Sequence, residues 1–447
     1  MNILFIAYGG IRTNSLNHID VFARMLSARG HGCVVAITPP PEPQEVIQTP
    51  HYTLCAHTDL SDDPIRFSDG RPADLIHAWT PRIAVLRSLL ACQRRLARPA
   101  RVLVHLEDNE RFLAARTAGA SFEEVAQWSE RRLRPLMRKG LSHPRRHRLL
   151  LAAADLITGI TPSLAEFAPQ GTPFELLPPG LDLELFRPHA PDKALRAELG
   201  IKPDERVLVY PGGANLTNAD ELRTLYAAVV LLNQRGIPAK LVRTGPPTPW
   251  FTQSLSDAER AVAIELGFVE RHRIPGLLNL ADVLVQPGRT GPFNDYRLPS
   301  KLPEFLASGR PVVLPATNIA LSMKDDRDAV FLHEGTPEEM AARCEQILRD
   351  PGLSAALGSA GRRFAETHFD AVENTARLEA LYRQTLQRPA AADWSRLRTR
   401  LHDEADLFPL AAGRSSPDDI LLLAARHRRH GLRAVVRRFL PSSRQPI

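Results

Sequence analysis

The chain has 447 residues, more than one ordinary core accommodates, and its 44% hydrophobic content supports packed domains rather than disorder. No run of 18 apolar residues occurs, so no helix is expected to span a bilayer. The four cysteines (Cys33, Cys55, Cys92, Cys344) are scattered without metal-ligand or redox spacing, which argues against structural zinc and fits a reduced, cytoplasmic setting.

The formal charge of +7 is unevenly spread. From Arg414 onward there are eight arginines against two aspartates, and residues 131–148 hold eight Lys or Arg and no acid. Such patches suit phosphate-bearing partners or an anionic membrane surface, or are simply solvated helix faces.

In chain order, residues 2–8 read as a buried strand that enters a turn at Gly9-Gly10, rather than as a signal peptide. Residues 16–29 carry apolar positions at helical spacing, Gly30 ends that helix, and residues 33–38 form the next strand. Residues 39–50 are a Pro-rich loop. Strands follow at 74–77 and 101–105 with a helix over 81–98 between them, then a strand at 155–160. A second series begins after the prolines near 178–188. It has strands at 206–210, 240–243, 263–267, 283–286 and 311–314, a helix at 220–235 and later helices at 338–349 and 372–387. Strands alternating with helices predict parallel sheets. The fold class is therefore α/β: two Rossmann-like domains facing a cleft at the carboxyl ends of their strands, with a C-terminal helical extension. The expected divisions are 1–187, 188–368, a closing helix at 369–388 that crosses back to the first domain, and a basic extension at 389–447.

Gly9 and Gly10 follow the first strand, where glycine lets backbone approach a phosphate or simply makes a turn. His105-Leu-Glu107-Asp108-Asn109-Glu110 clusters carboxylates at a strand end, which suits a general base or a polar loop capping a helix. The densest chemistry lies in Arg297-Leu-Pro-Ser-Lys301-Leu-Pro-Glu304-Phe-Leu-Ala-Ser-Gly-Arg-Pro-Val-Val. Two cations beside a helix start suit a diphosphate, and a carboxylate one turn on suits the two hydroxyls of a ribose. A plain Lys–Glu surface pair is the competing reading. Asp326-Arg-Asp328 has metal-binding spacing but sits in a charged loop.

The 297–313 segment resembles the K-L-x-E-[YF]-x-A-x-G-x-P-V-V signature of family 4-like glycosyltransferases of the GT-B fold. Arg29-Gly30-His31-Gly32-Cys33, Ala154-Asp155-Leu156-Ile157-Thr158 with Leu177-Pro-Pro-Gly180-Leu-Asp182, and Gly267-Phe268-Val269 with Ala281-Asp282-Val283 are similar to that family in the same order. The resemblance covers residues 1–387. It implies transfer of a sugar from a nucleoside diphosphate to a hydroxyl acceptor, with retained configuration and no metal or other cofactor. The second domain would hold the nucleotide-sugar donor and the first a glycan, lipid-linked or small-molecule acceptor.

By the same resemblance Glu304 holds the ribose, Lys301 and Arg297 meet the diphosphate, His105 faces the donor sugar, and His77 lies on the acceptor side. Glu107 and Asn109, in the polar cluster after His105, are placed on the acceptor side by their strand-end position. The sequence departs from the pattern twice. Tyr296 stands where the family often has a first glutamate, leaving Asn294 or Asp295 as substitutes. The loop Pro211-Gly212-Gly213 lacks the family's cations, so its glycines would offer N–H groups and Arg243 charge. A catalytically inactive nucleotide-sugar-binding scaffold and a nucleotide-sugar epimerase are the alternatives. A nucleic-acid partner is not expected, because the basic tail lacks interleaved aromatics.

In the tail, Ser416 and Pro417 suit a helix start, and Leu432, Val435, Val436 and Phe439 make one apolar stripe beside Arg428, Arg429, Arg433, Arg437 and Arg438. Each basic residue near an anionic lipid surface contributes about 1 kcal/mol. The full chain is expected to sediment with anionic but not neutral liposomes at low salt, and a chain truncated after Pro409 to stay in solution; a full chain that ignores anionic liposomes shows that the stripe docks on protein instead.

Overall fold

The structure is a computed structural model that describes residues 1–10, 13–38, 47–48, 51–61, 65–215 and 217–390. The basic tail from residue 391 and the Pro-rich loop at 39–46 lie outside the described residues. The chain divides into two compact units. Met1–Gly180 is joined by the chain from Val372, and Leu181–Ala371 forms the second unit. The sequence-based divisions were 187/188 and 368/369.

The first unit contains β1 (Asn2–Ala7), β2 (Gly32–Ile37), β3 (Ile47–Gln48), β4 (Thr53–Ala56), β5 (Leu75–Trp79), β6 (Arg101–Leu106), β7 (Leu156–Gly159) and β8 (Phe174–Leu176). Their order in the sheet is β3-β4-β2-β1-β5-β6-β7-β8, parallel throughout except for β3 against β4. The second unit contains β9 (Arg206–Pro211), β10 (Ala239–Thr244), β11 (Ala263–Glu265), β12 (Val283–Val285), β13 (Val312–Pro315) and β14 (Val330–Leu332), in the order β11-β10-β9-β12-β13-β14 and all parallel. That is the doubly wound Rossmann order, whose direction reverses between β9 and β12; the first sheet reverses between β1 and β5. Strands β3, β4, β8 and β14 are additions to the sequence reading, and β3 falls within the stretch 39–50 read as a Pro-rich loop. They are two to four residues long, too short for length or periodicity to announce them.

The central strands are buried on both faces, and that is why they read as continuous apolar runs. The first core joins Ile3, Phe5, Ile19, Phe22, Val35, Trp79 and Leu103 to Leu378, Leu381 and Tyr382 of the last helix, Ala371–Gln387. Ion pairs from Glu379 to Arg29 and His31 hold that helix in place. The second core packs the helix Ala219–Gln234 and the helix Pro337–Arg349 on strands β9, β10, β12, β13 and β14. Among the described residues no helix is long and apolar enough to cross a membrane.

One polar device recurs in both sheets. Asp74, Asp155 and Asp282 each stand just before a strand, in the repeated pattern Ala-Asp-(Leu/Val)-(Ile/Leu). Each donates its own N–H to the carbonyl of one residue in the neighbouring parallel strand, at 2.8 Å, and accepts that residue's N–H on a carboxylate oxygen, also at 2.8 Å. The partners are Asn2, Val102 and Val207. Two bonds to one residue fix the strand register, and a one-residue slip would turn every side chain to the other face. Replacing Asp155 by Ala strands the Val102 N–H and is expected to lower stability by about 1–3 kcal/mol. Asp155→Asn, which keeps an acceptor oxygen, is expected to lose less. Urea unfolding of the two variants checks this order.

Candidate functional site

In the second unit the polar groups gather where β9 ends. Pro211 leads into Gly212 and Gly213, and Gly245, after β10, has φ +118 and lies against them. A Cβ on Gly245 would fall 2.5 Å from the Gly213 nitrogen, so only glycine lets these two strand ends approach. The N–H groups of Gly213 and Ala214 make no hydrogen bond among the described residues. Lys301 lies over this turn: a Cβ on Gly212 would be 3.5 Å from its Nζ. The ammonium donates to Tyr210 Oη at 3.3 Å and sits 4.5 Å from the centre of that ring. An ammonium and two N–H groups thus meet beside one turn, which is a set of donors fit for phosphate oxygens.

Glu304, three residues on in the helix Leu302–Ala307, is buried and pairs with Arg271 at 2.5 Å. Arg271 is itself half exposed and lies over the Phe186 ring. Sequence reading missed Arg271, since it is 33 positions upstream and no spacing rule links the two. Arg297 is more committed than the sequence suggested. Its Nε donates to Asn294 Oδ1 at 3.0 Å, its other end lies 3.6 Å from Glu221, and it covers the Phe293 ring. Asn294 is buried and donates to Glu221 and to the Arg289 carbonyl, and Asp295 accepts from the Gly291 N–H and the Thr317 hydroxyl. Both therefore tie the loop before Lys301. Arg243 is buried too. It forks onto Glu265 at 2.8–2.9 Å through Nε and donates to the Gly212 carbonyl at 3.3 Å, so it props the glycine turn from behind.

In the first unit Gly9 adopts φ +73 and Thr13 caps the following helix, Asn14–Ala28. His105 is buried at the end of β6, 4.2 Å from Trp79 centre to centre, with Nδ1 2.9 Å from Thr158 Oγ1. His77 is not turned toward an acceptor. It is enclosed in the sheet, Nδ1 2.8 Å from Tyr382 Oη and Nε2 3.2 Å from Thr158 Oγ1. Thr80, just past β5, has φ +69 and a buried hydroxyl without a partner among the described residues. Asn109 caps the helix Glu110–Ala118 by accepting from the Phe112 N–H. Glu110 accepts from Ser142 and pairs with Arg82, which also reaches Asp108 and covers the Tyr8 ring. Glu107 accepts from Ser15 and pairs with His18 Nδ1 at 2.8 Å.

The basic block at 131–148 resolves into two kinds of residue. Arg145 and Arg146 pair with Glu130, and Arg145 also donates to backbone carbonyls. Arg131, Arg134 and Arg138 stay exposed on the helix Glu130–Arg138. Asp326 and Asp328 engage Arg343 and Arg327. Among the described residues no group of three His, Cys, Asp or Glu could hold a metal.

With this geometry in view, comparison with known proteins is informative. Residues 205–350 match the family model described as Glycosyl transferases group 1. A D-inositol 3-phosphate glycosyltransferase of Thermobispora bispora is 27% identical over 223 residues, 47% of this chain and 50% of that one. One from Kineococcus radiotolerans is 29% identical over 235 residues, 48% and 53% of the two chains. The chain thus spans about half the length of the curated relatives it matches. Among solved structures, sucrose-phosphate synthase from Thermosynechococcus elongatus superposes with a TM-score of 0.66 at 17% identity, over 86% of this chain and 98% of that one. Anabaena HepE in complex with UDP-glucose gives 0.63 at 16% identity, over 86% and 100%. The lipopolysaccharide glycosyltransferase WaaG gives 0.58 at 16%, over 85% and 99%. These likenesses show the fold, two Rossmann-like units as in those glycosyltransferase structures. The match to the group 1 glycosyltransferase model falls on residues 205–350, which carry Lys301 and Glu304.

The buried titrating groups set an acid limit. Burial pushes His57 down to about 4 and His105 down to about 3, from an ordinary value of 6.5. The fold keeps them neutral while the unfolded chain takes up protons, so stability falls as pH drops below about 6.5. Burial alone would raise Glu107, but the hydrogen bond and charge of His18, with help from His105 and Ser15, bring it to about 2 from 4.5. Its contribution is complete above the unfolded value and is lost as pH falls from about 4.5 toward 2. Glu107→Gln is expected to flatten that lower part of the acid limb and leave the onset near 6.5, as read by urea unfolding across pH.

Proposed function

We propose that the chain transfers a sugar from a nucleoside diphosphate to a hydroxyl acceptor. The observation that carries this reading is the site at the end of β9. Lys301 lies over the Gly212-Gly213 turn, beside two backbone N–H groups that are unpaired among the described residues, and a buried carboxylate stands three residues on. The ammonium and N–H groups suit a diphosphate and stabilise the charge that grows on it as the sugar departs. Glu304, released from the half-exposed Arg271, accepts both ribose hydroxyls. The group 1 domain and the UDP-glucose named for HepE support this choice of donor.

Each unit has its own part in this reading. The second binds the nucleotide, with Arg297, Asn294, Asp295 and Arg243 holding its loops in shape. The first carries His105, a hydrogen-bond donor for substrate, and the acceptor-side groups around Glu107 and Asn109. The configuration at the sugar is retained and no metal takes part, since Lys301 and the N–H groups supply the positive potential. The D-inositol 3-phosphate glycosyltransferases among the relatives favour a polar hydroxyl compound as acceptor.

Glu304→Ala is expected to weaken binding of the preferred nucleotide sugar by about 1–3 kcal/mol, the range for hydrogen bonds to a charged group. Calorimetry against UDP-, GDP- and ADP-sugars finds that donor and reads the loss. Unchanged affinity in a folded variant overturns the assignment, and tight donor binding with no turnover across acceptors favours the scaffold reading.

A further inference from the structure

A buried hydrogen-bond chain runs through the first unit from the last helix to the end of β6. Tyr382 Oη lies 2.8 Å from His77 Nδ1, His77 Nε2 lies 3.2 Å from Thr158 Oγ1, and the same oxygen lies 2.9 Å from His105 Nδ1. The four residues come from the helix Ala371–Gln387, β5, β7 and β6. Tyr382, His77 and Thr158 are fully buried, and His105 nearly so. None of these side chains has another hydrogen-bond partner among the described residues.

Distances do not say which atom carries each proton, but satisfaction of the donors does. The Tyr382 hydroxyl has one neighbour, His77 Nδ1. If that nitrogen carried a proton, the phenol hydrogen would be buried with nothing to accept it. Leaving one buried donor unmade disfavours that arrangement roughly tenfold to a hundredfold. Tyr382 therefore donates to His77 Nδ1, which places the His77 proton on Nε2. That N–H donates to Thr158 Oγ1, and the threonine hydroxyl donates to His105 Nδ1. His105 Nδ1 is then an acceptor, and its ring proton sits on Nε2. Both rings are neutral, as burial holds them below their ordinary range.

We propose that Tyr382, His77 and Thr158 are positioning residues that lock His105 in the Nε2–H tautomer, so that His105 presents a hydrogen-bond donor, not a base, to the substrate. The role of His105 toward substrate rests on the glycosyl-transfer reading; the tautomer does not. The proposal also explains why two histidines are buried side by side. His77 transmits, and His105 presents. Tyr382 makes the lock depend on a helix that the chain adds only after the second unit is complete.

The test is histidine side-chain NMR on the full chain with selective ¹⁵N-histidine labelling, the His105 signals assigned with His105→Gln. In the wild type, His105 is expected as the Nε2–H tautomer and neutral at pH 7. Thr158→Ser keeps the hydroxyl and the pattern. Thr158→Val removes the donor to Nδ1, and Tyr382→Phe lets the chain reverse; both are expected to give a mixture of tautomers. In turnover assays the same two variants lose about threefold to tenfold in kcat, the scale of one neutral hydrogen bond, with little change in donor affinity, while Thr158→Ser stays near wild type. A wild-type His105 protonated on Nδ1, or a tautomer that ignores both Thr158→Val and Tyr382→Phe, overturns the proposal. If the tautomer pattern holds in a chain without transferase activity, the lock stands and the glycosyl-transfer reading falls.

Discussion

The register of the central parallel strands is the constraint on which both units depend. Strands β1 and β5, β6 and β7, and β9 and β12 are each pinned by one aspartate that bonds the neighbouring strand twice. Two of these three pairs are the ones at which a sheet reverses direction. The residues at the carboxyl ends are placed by counting from those pins. Trp79 and His105 come level across β5 and β6, and Tyr210 and Pro211 carry the Gly212 turn past the end of β9. A parallel sheet has no hairpins to set its register, and at these three pairs an aspartate adds to what the buried apolar pattern specifies.

At the carboxyl ends the ladder stops while the chain is still buried, and every polar group there needs a partner. The two units meet this demand differently. The first closes its polar groups on one another, His105 on Thr158, Thr158 on His77 and Glu107 on Ser15 and His18, leaving few hydrogen-bonding options open. Among the described residues the second leaves the Gly213 and Ala214 N–H groups unmet and a lysine held by a phenol alone. A closed network suits a rigid presenting surface. An open cluster of donors suits an anionic ligand that completes it.

Charge in the sequence and charge available to a ligand are different quantities. Arg243 and Arg297 stand close to Lys301 in the topology, yet each is engaged by a carboxylate of its own, Glu265 and Glu221. They are used to hold loops. Among the described residues Lys301 has no carboxylate partner, and Tyr210 is what holds it. In the same way the block at 131–148 divides into arginines that tie Glu130 to its surroundings and arginines that stay in water.

By itself the sequence determined the α/β class, the two series of strands and helices, and the segment holding Lys301 and Glu304. Apolar runs, helical spacing and a dense motif are local signals, and local geometry decides them. It put both His77 and His105 at strand ends, whereas β5 runs on to Trp79 and His77 stands in its middle. His77 at a strand end reads as a side chain facing a ligand. Only the tertiary structure shows that Thr158 and Tyr382 enclose it, because those partners lie 81 and 305 positions along the chain. Arg271 beside Glu304, and the carboxylates that occupy Arg243 and Arg297, were hidden for the same reason. A proton's place in a buried network is set by all the donors and acceptors within reach, and their closeness in space leaves no mark in the spacing of the sequence.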